Sequence, residues 1–271
     1  MANVVYDNFY LSNEIEDQFN SRLDLMGFVT VDRNLEGVAG MTRKINVYSA
    51  TGGAEKLEMG EGNTQSIEVT YSPKDYEIAL AQSRFVYYDE QEMTDPTAIQ
   101  TGINYMAVDM FNTVNADIYA EFKKTTNAID SAKPDFAAFA DAQAVLNEES
   151  VETLNTFAFA HPYDIANIRK ALNEDLRYVE AYARNGYVGT VAGTNVYQKK
   201  DATPGEIILA TSEAVTVFLK RGTEIEASGF RTRSAEDANI RQNTIFARKY
   251  YLAALTNSTK AVKINVETLS I

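Results

Sequence analysis

The stretch TGGAEKLEMGEGN, residues 51–63, puts four glycines, three glutamates and one lysine into thirteen positions. It decides the fold, because it is either a phosphate-binding loop or the tip of a two-stranded arm. A P-loop requires G-x-x-x-x-G-K-[ST], so that backbone N–H groups cradle the phosphates and the lysine reaches them. Here Gly60 is followed by Glu61 and Gly62, and three carboxylates would repel a polyphosphate. A dinucleotide fingerprint requires its glycines to open a helix, whereas the flanking residues 43–49 and 65–71 alternate with period 2. Ile45 and Val47 on one flank, and Ile67, Val69 and Tyr71 on the other, read as the strands of a hairpin. The connection is longer than an ordinary hairpin loop. The stretch is an arm tip, kept soluble by glutamate and flexible by glycine.

Composition narrows the chemistry. The chain has 271 residues, enough for one large core or two modest ones, and its 45% hydrophobic and 23% charged content is ordinary. It has no cysteine, which excludes disulfides, thiol nucleophiles and thiolate metal sites. Its single histidine leaves little for a His-cluster metal site or Ser–His–Asp chemistry, and no cofactor is expected. The start, MANVVYDNFYLSNEIEDQ, lacks the basic and apolar regions of a signal peptide, and no apolar run approaches a membrane span. The net charge is −13, unevenly placed: residues 1–100 hold 7 Lys/Arg against 17 Asp/Glu, residues 220–271 hold 9 against 5. Taken alone this is scattered solvated charge. The sharper reading is that an acidic front and a basic back meet between copies of the chain. The overall acidity argues against a sequence-specific nucleic-acid reader.

The rest of the chain mixes helices and strands. Residues 12–26 read as a short amphipathic helix, with Ile15, Phe19 and Leu23 on one face. Residues 76–88 are β-prone. Asp95-Pro96 opens a long helix as N-cap and first position, followed by Ile99, Ile103, Met106, Met110, Val114, Ile118 and Phe122 at spacings of three or four. Running to Lys123, it would be ~42 Å long. A smaller helix is expected over 134–146 and a strand over 155–160. His161-Pro162 then breaks the chain before a helix over 163–184, and His161 is read as a local hydrogen-bonding group. Further strands are expected at 194–198, 206–210, 214–219, 223–227 and 243–255, with a turn at Thr203-Pro204-Gly205 and a polar link over 228–242. Helices and strands in no regular βαβ order give an α+β class.

The order of these pieces resembles the major capsid protein of tailed bacteriophages, the Hong Kong-phage type of fold also seen in encapsulin shells and the herpesvirus capsid floor. Three stretches carry the likeness: residues 83–124 (SRFVYYDEQEMTDPTAIQ…AEFKK), 157–172 (FAFAHPYDIANIRKAL) and 192–264. The resemblance implies an N-arm at 1–36 and an extended E-loop at 37–75 that lies over a neighbouring subunit. It implies a P-domain at 76–135 and 223–255, an A-domain at 136–222, and a tail at 256–271. The implied function is structural: self-assembly into pentamers and hexamers of an icosahedral virion shell around double-stranded DNA, in the bacterial host cytoplasm. A portal and a separate scaffolding protein are the expected partners, with no membrane, and the DNA is enclosed without sequence-specific binding. The alternative within the fold is an encapsulin-like compartment packaging a cargo enzyme.

Some members of the family weld subunits by an isopeptide bond between an E-loop lysine and a P-domain asparagine, promoted by a glutamate. Lys56 and Asn243 match the first two by position. Residues 244–266 contain no Asp or Glu, however, which argues against cross-linking. For contacts between subunits the candidates are Glu55, Lys56, Glu58 and Glu61 at the arm tip, and Arg231, Arg233, Arg241, Arg248 and Lys249 on the basic back. A reading of another class, an acid/base enzyme built on Glu148/Glu149 or Glu90/Glu92, leaves the long arm unexplained.

Overall fold

The computed structural model describes residues 23–36, 40, 42–146, 155–172, 189–228 and 233–266. Three sheets organise the chain. An antiparallel ribbon pairs β2 (Thr42–Thr51) with β3 (Glu68–Glu77), Thr42 opposite Glu77 and Thr51 opposite Glu68. The return strand therefore starts three residues later than the alternation suggests, and the loop spans residues 52–67. Pro73 sits inside β3 opposite Asn46, which a ribbon tolerates because both its strands are edges.

The second sheet has the order β1-β10-β11-β4, with β1 (Thr30–Asp32), β4 (Ala79–Tyr88), β10 (Val215–Ser228) and β11 (Gln242–Leu255). β10 joins two segments expected as separate strands, 214–219 and 223–227. The polar residues between them sit in register shifts at Leu219/Arg221 and Arg221/Glu224, so the ladder bends without breaking.

The third sheet runs β5-β12-β9-β6-β8-β7. Its members are β5 (Ala128–Ser131), β6 (Phe157–Ala160), β7 (Thr190–Val191), β8 (Thr194–Gln198), β9 (Glu206–Ala210) and β12 (Ala261–Val266). β12 lies within the segment expected as a tail, 256–271. It pairs with β9 on one side and β5 on the other, and Val262 and Ile264 are fully buried. The alternation AVKINV is too short and too polar to announce an interior strand; its neighbours decide it.

Five helices are present among the described residues: α1 (Asp89–Thr94), α2 (Pro96–Phe122), α3 (Phe136–Leu146), α4 (Pro162–Ala171) and α5 (Ala235–Asn239). α2 starts as its sequence predicts, with the Asp95 carboxylate accepting from the Thr97 N–H, and its 27 residues span ~40 Å. α4 begins after His161, whose Nδ1 accepts from the Tyr163 N–H at 3.2 Å, the local role expected of it. The remainder of that expected helix, 173–184, lies outside the described residues. So does most of the helix expected over 12–26. The last residues of that segment are not α-helical: Asp24 is extended and caps a 3-10 turn, Leu25–Phe28, with its carboxylate on the Met26 N–H. Aspartate favours a cap over a helix interior, and the cap wins.

Packing follows the pleat. In β6 the aromatic rings of Phe157 and Phe159 enter one core and Ala158 and Ala160 the other; in β9 Ile208 and Ala210 divide from Ile207 and Leu209 in the same way. The first core joins the six-stranded sheet to the C-terminal half of α2 through Ile118 and Phe122, and to the four-stranded sheet through Val215, Val217 and Tyr251. The second is closed by α3 and α4. A smaller cluster seats Met106 and Met110 of α2 on Ile245 and Ala247 of β11. No helix among the described residues is long and apolar enough to cross a membrane.

Candidate assembly surface

Contacts with the body hold the ribbon at its base. Arg43 and Tyr76 face each other across it; the Arg43 guanidinium lies 4.8 Å from the Phe218 ring centroid, and Tyr76 packs against the cluster of Phe218 and Leu252. Away from the base, Ile67, Val69 and Tyr71 are 65%, 57% and 66% exposed, and Met59 at the tip is wholly exposed. The period-2 pattern that predicts a hairpin thus produces an apolar face turned to solvent.

The tip has internal order. The Glu55 carboxylate accepts from the Thr64 N–H at 2.8 Å and the Thr64 hydroxyl at 2.6 Å, closing the loop like a clasp. Those bonds, the hydroxyl first, hold Glu55 below the usual carboxylate range. Gly52 has φ +116°, and a Cβ there would stand 2.7 Å from the Ser66 carbonyl oxygen, so only glycine fits the exit from β2. Glu58, Glu61 and Lys56 are exposed. Within the tip, the Glu61 carboxylate accepts from the Glu58 N–H at 3.3 Å.

Three of the basic candidates, Arg233, Arg241 and Arg248, have partners inside the subunit. Arg233 grips Asp89 with both terminal nitrogens, the Nη1 contact at 2.9 Å, and its Nε donates to Asn243 Oδ1 at 2.8 Å. Arg241 pairs with Glu90. Arg248 pairs with Glu226 at 2.9 Å and donates to Gln82 at 3.2 Å. Lys249 is half-buried at the rim of an apolar groove, and burial lowers its ammonium pKa. Arg231 lies outside the described residues.

Asn243 is 2% exposed, and both ends of its amide are used: Oδ1 accepts from Arg233, and Nδ2 donates to Asp89 Oδ1 at 2.9 Å. A carboxylate does stand beside this asparagine, on α1 and 154 residues away, where no scan of the following strand finds it. Arg233 is the main reason the Asp89 carboxyl titrates below its ordinary value, so it is held as an anion and a hydrogen-bond acceptor. The trio pins the start of β11 to the start of α1, alongside the bond from the Asp89 N–H to the Arg241 carbonyl. It offers no free amide to an incoming lysine. Of the enzyme candidates, Glu90 pairs with Arg241, and the hydrogen bond from its own backbone N–H, followed by that from Arg241, lowers its carboxyl pKa; Glu92 is exposed, and Glu148 and Glu149 lie outside the described residues. Among the described residues no group of acids and histidine could hold a metal ion.

A long helix laid on a four-stranded sheet, a six-stranded sheet buried on both faces and an arm standing off the body make up a fold shared with tailed-phage capsid subunits. The comparisons with known proteins agree. The chain is 23% identical over 261 residues to the major capsid protein of Staphylococcus phage phiMR11, covering 94% of this chain and 91% of that one. The capsid of a native GTA particle superposes with a TM-score of 0.69 at 13% identity, covering 90% of both chains. The capsid of cyanophage Pam1 does so with a TM-score of 0.67 at 10% identity, covering 93% of both. No protein-family model matches the chain.

Proposed function

We infer that this chain is a major capsid protein, the structural subunit that assembles with copies of itself into the icosahedral shell of a tailed phage. The ribbon carries this reading. Ten paired residues per strand reach ~34 Å, and an isolated two-stranded ribbon is marginal in water. Its apolar face therefore requires another surface, and in a shell that surface is the next subunit. In this reading residues 1–36 are the N-arm and 37–75 the E-loop. The spine helix α2 and the long strands β10 and β11 form the P-domain. The six-stranded sheet forms the A-domain, to which we add β5 and β12 from outside the expected 136–222. The role is structural in this reading, in keeping with the capsid protein to which the chain is similar. A scaffolding protein, a portal, enclosed double-stranded DNA and assembly in the host cytoplasm complete the proposal.

Negative-stain microscopy of the protein, expressed alone and with the neighbouring genes of its source, tests it. Closed shells are expected, with nucleic acid inside when the packaging machinery is present. A persistent monomer or small oligomer in every condition would overturn the reading, and shells holding a co-purified enzyme would move it to a cargo compartment.

A further inference from the structure

Two apolar surfaces of this chain stand open and do not meet. One is a groove of about 270 Å³ between α2, from Ile103 to Asn115, and the distal parts of β10 and β11. Met106 and Met110 form one wall, Ile225 and Ile245 the other, and Lys249 is the only charged residue on the lining. Ile225 is 66% exposed, although it lies on the side of β10 that faces this groove. Burial of Lys249, offset only in part by the charge of Asp24, leaves at the rim an ammonium that an anion would stabilise. The groove therefore suits a partner that is apolar with acidic flanks. Its volume is nearly twice the ~150 Å³ cavity that accepts a benzene ring, which leaves room for two aliphatic side chains.

The tip of the arm has that chemistry. Residues 57–61 read Leu-Glu-Met-Gly-Glu. The Glu61 N–H donates to the Glu58 carbonyl at 3.1 Å, and Gly60, third in this turn, has φ +96°, as a type II turn requires. The turn sets Met59 at its apex, wholly exposed between two exposed carboxylates, and Leu57 is 46% exposed. Neither side chain lies in its own subunit's groove. An ordered turn that presents a methionine to water contributes no burial to its own subunit, and methionine adapts to irregular apolar seats. We propose that the arm tip of a second copy seats Met59 and Leu57 in this groove, with Glu58 and Glu61 at the rim beside Lys249. The apolar pair anchors the contact and the charges fix its register. The assignment rests on the shell reading and adds the receiving surface to it: the cleft between α2 and the sheet, and not the sheet face turned away from α2.

The chain has no cysteine, so introduced thiols report cleanly. Ile225 and Glu226 are consecutive exposed residues of β10 that point to opposite faces of the sheet, Ile225 toward the groove and Glu226 toward Arg248 on the far side. Full-length Met59→Cys chains co-assembled with Ile225→Cys chains should give a disulfide-linked dimer band without reductant. Met59→Cys with Glu226→Cys should do so at least ~10-fold more slowly, because a disulfide needs Cα atoms within about 7 Å. Equal rates, a faster Glu226 pair or no cross-link from either in well-formed shells would overturn the proposal and leave the shell reading standing. Failure of the unsubstituted chain to associate at all would overturn both. Independently, Lys249→Glu should raise the protein concentration needed for assembly at least ~10-fold, with an unchanged circular-dichroism spectrum of the isolated subunit. Adding Glu58→Lys and Glu61→Lys to the same chain should restore assembly. Assembly indifferent to Lys249→Glu, or a loss that the charge swap does not reverse, would also overturn the proposal.

Discussion

Glu206→Gln tests how the two halves of the body are joined. Glu206 opens β9 on the sheet face that carries Ile208 and Ala210, and its carboxylate meets two cations. Lys263 of β12 approaches Oε1 at 2.9 Å, and Lys123, the C-cap of α2, approaches Oε2 at 3.0 Å. Lys123 also donates to Thr203 at 2.8 Å. The spine helix is thereby tied to the six-stranded sheet by charge as well as by the Phe122 contact. At 3 Å and an effective dielectric of about 20, each pair attracts by roughly 5 kcal/mol. Withdrawing three charged groups from water cancels much of this. The exposure of the Lys123 side chain, 35% against 19% for Lys263, screens its share further. Glutamine keeps an acceptor but loses the charge, so the net loss should be roughly 2 kcal/mol, or a fall of about 5 °C in Tm. Burial pushes the Glu206 pKa up, but the hydrogen bonds from Lys263 and Lys123 outweigh it, and the value lies below its ordinary 4.5. A depressed carboxylate contributes in full above pH 4.5 and loses its contribution as pH falls through the folded value. Urea unfolding of isolated subunits should therefore show a gap between the two proteins that is constant near neutrality and closes below about pH 4.5. A gap under ~0.5 kcal/mol at neutral pH, or one as wide a full pH unit below the ordinary carboxylate value as at neutrality, would refute the reasoning.

The remaining predictions concern the arm and the shell. Hydrogen exchange at residues 52–67 should be fast in isolated subunits and strongly slowed in assembled shells, since the Glu55 clasp and the turn at Glu58–Glu61 are slender internal ties; equal protection in both states would count against the arm reading. Shells boiled in detergent should run as a single band near the chain mass of 30.1 kDa, because the Asn243 amide is buried and hydrogen-bonded through both its oxygen and its nitrogen; a ladder abolished by Lys56→Ala would show otherwise. Glu58→Gln with Glu61→Gln, which spares the Glu55 clasp, should weaken assembly chiefly at low salt and leave the subunit's Tm within about 1 °C. Assembly that is indifferent to both substitutions at every ionic strength would remove the charge-pairing idea.

What could be read from the sequence was local. The Asp95-Pro96 start of the spine helix, its three-and-four spacing, the alternation of the arm and the His161 cap each depend on residues within a turn or a pleat. Those rules hold wherever the segment ends up. The order of the pieces then pointed to the capsid fold. Tertiary structure decided what depends on distant partners. β10 is one strand because β11 runs unbroken beside it, past Arg221. Residues 261–266 are interior because β5 and β9 flank them, although their sequence is that of an ordinary half-polar strand. Asn243 finds its carboxylate on α1 rather than on the following strand, and Glu206 finds its lysines on a helix end and on β12. A sequence carries the periodicity of each element, but the choice of neighbour belongs to the summed burial of all of them. For that reason the arm's alternating face was legible as apolar from the outset, and only the folded body shows that it stays open to solvent.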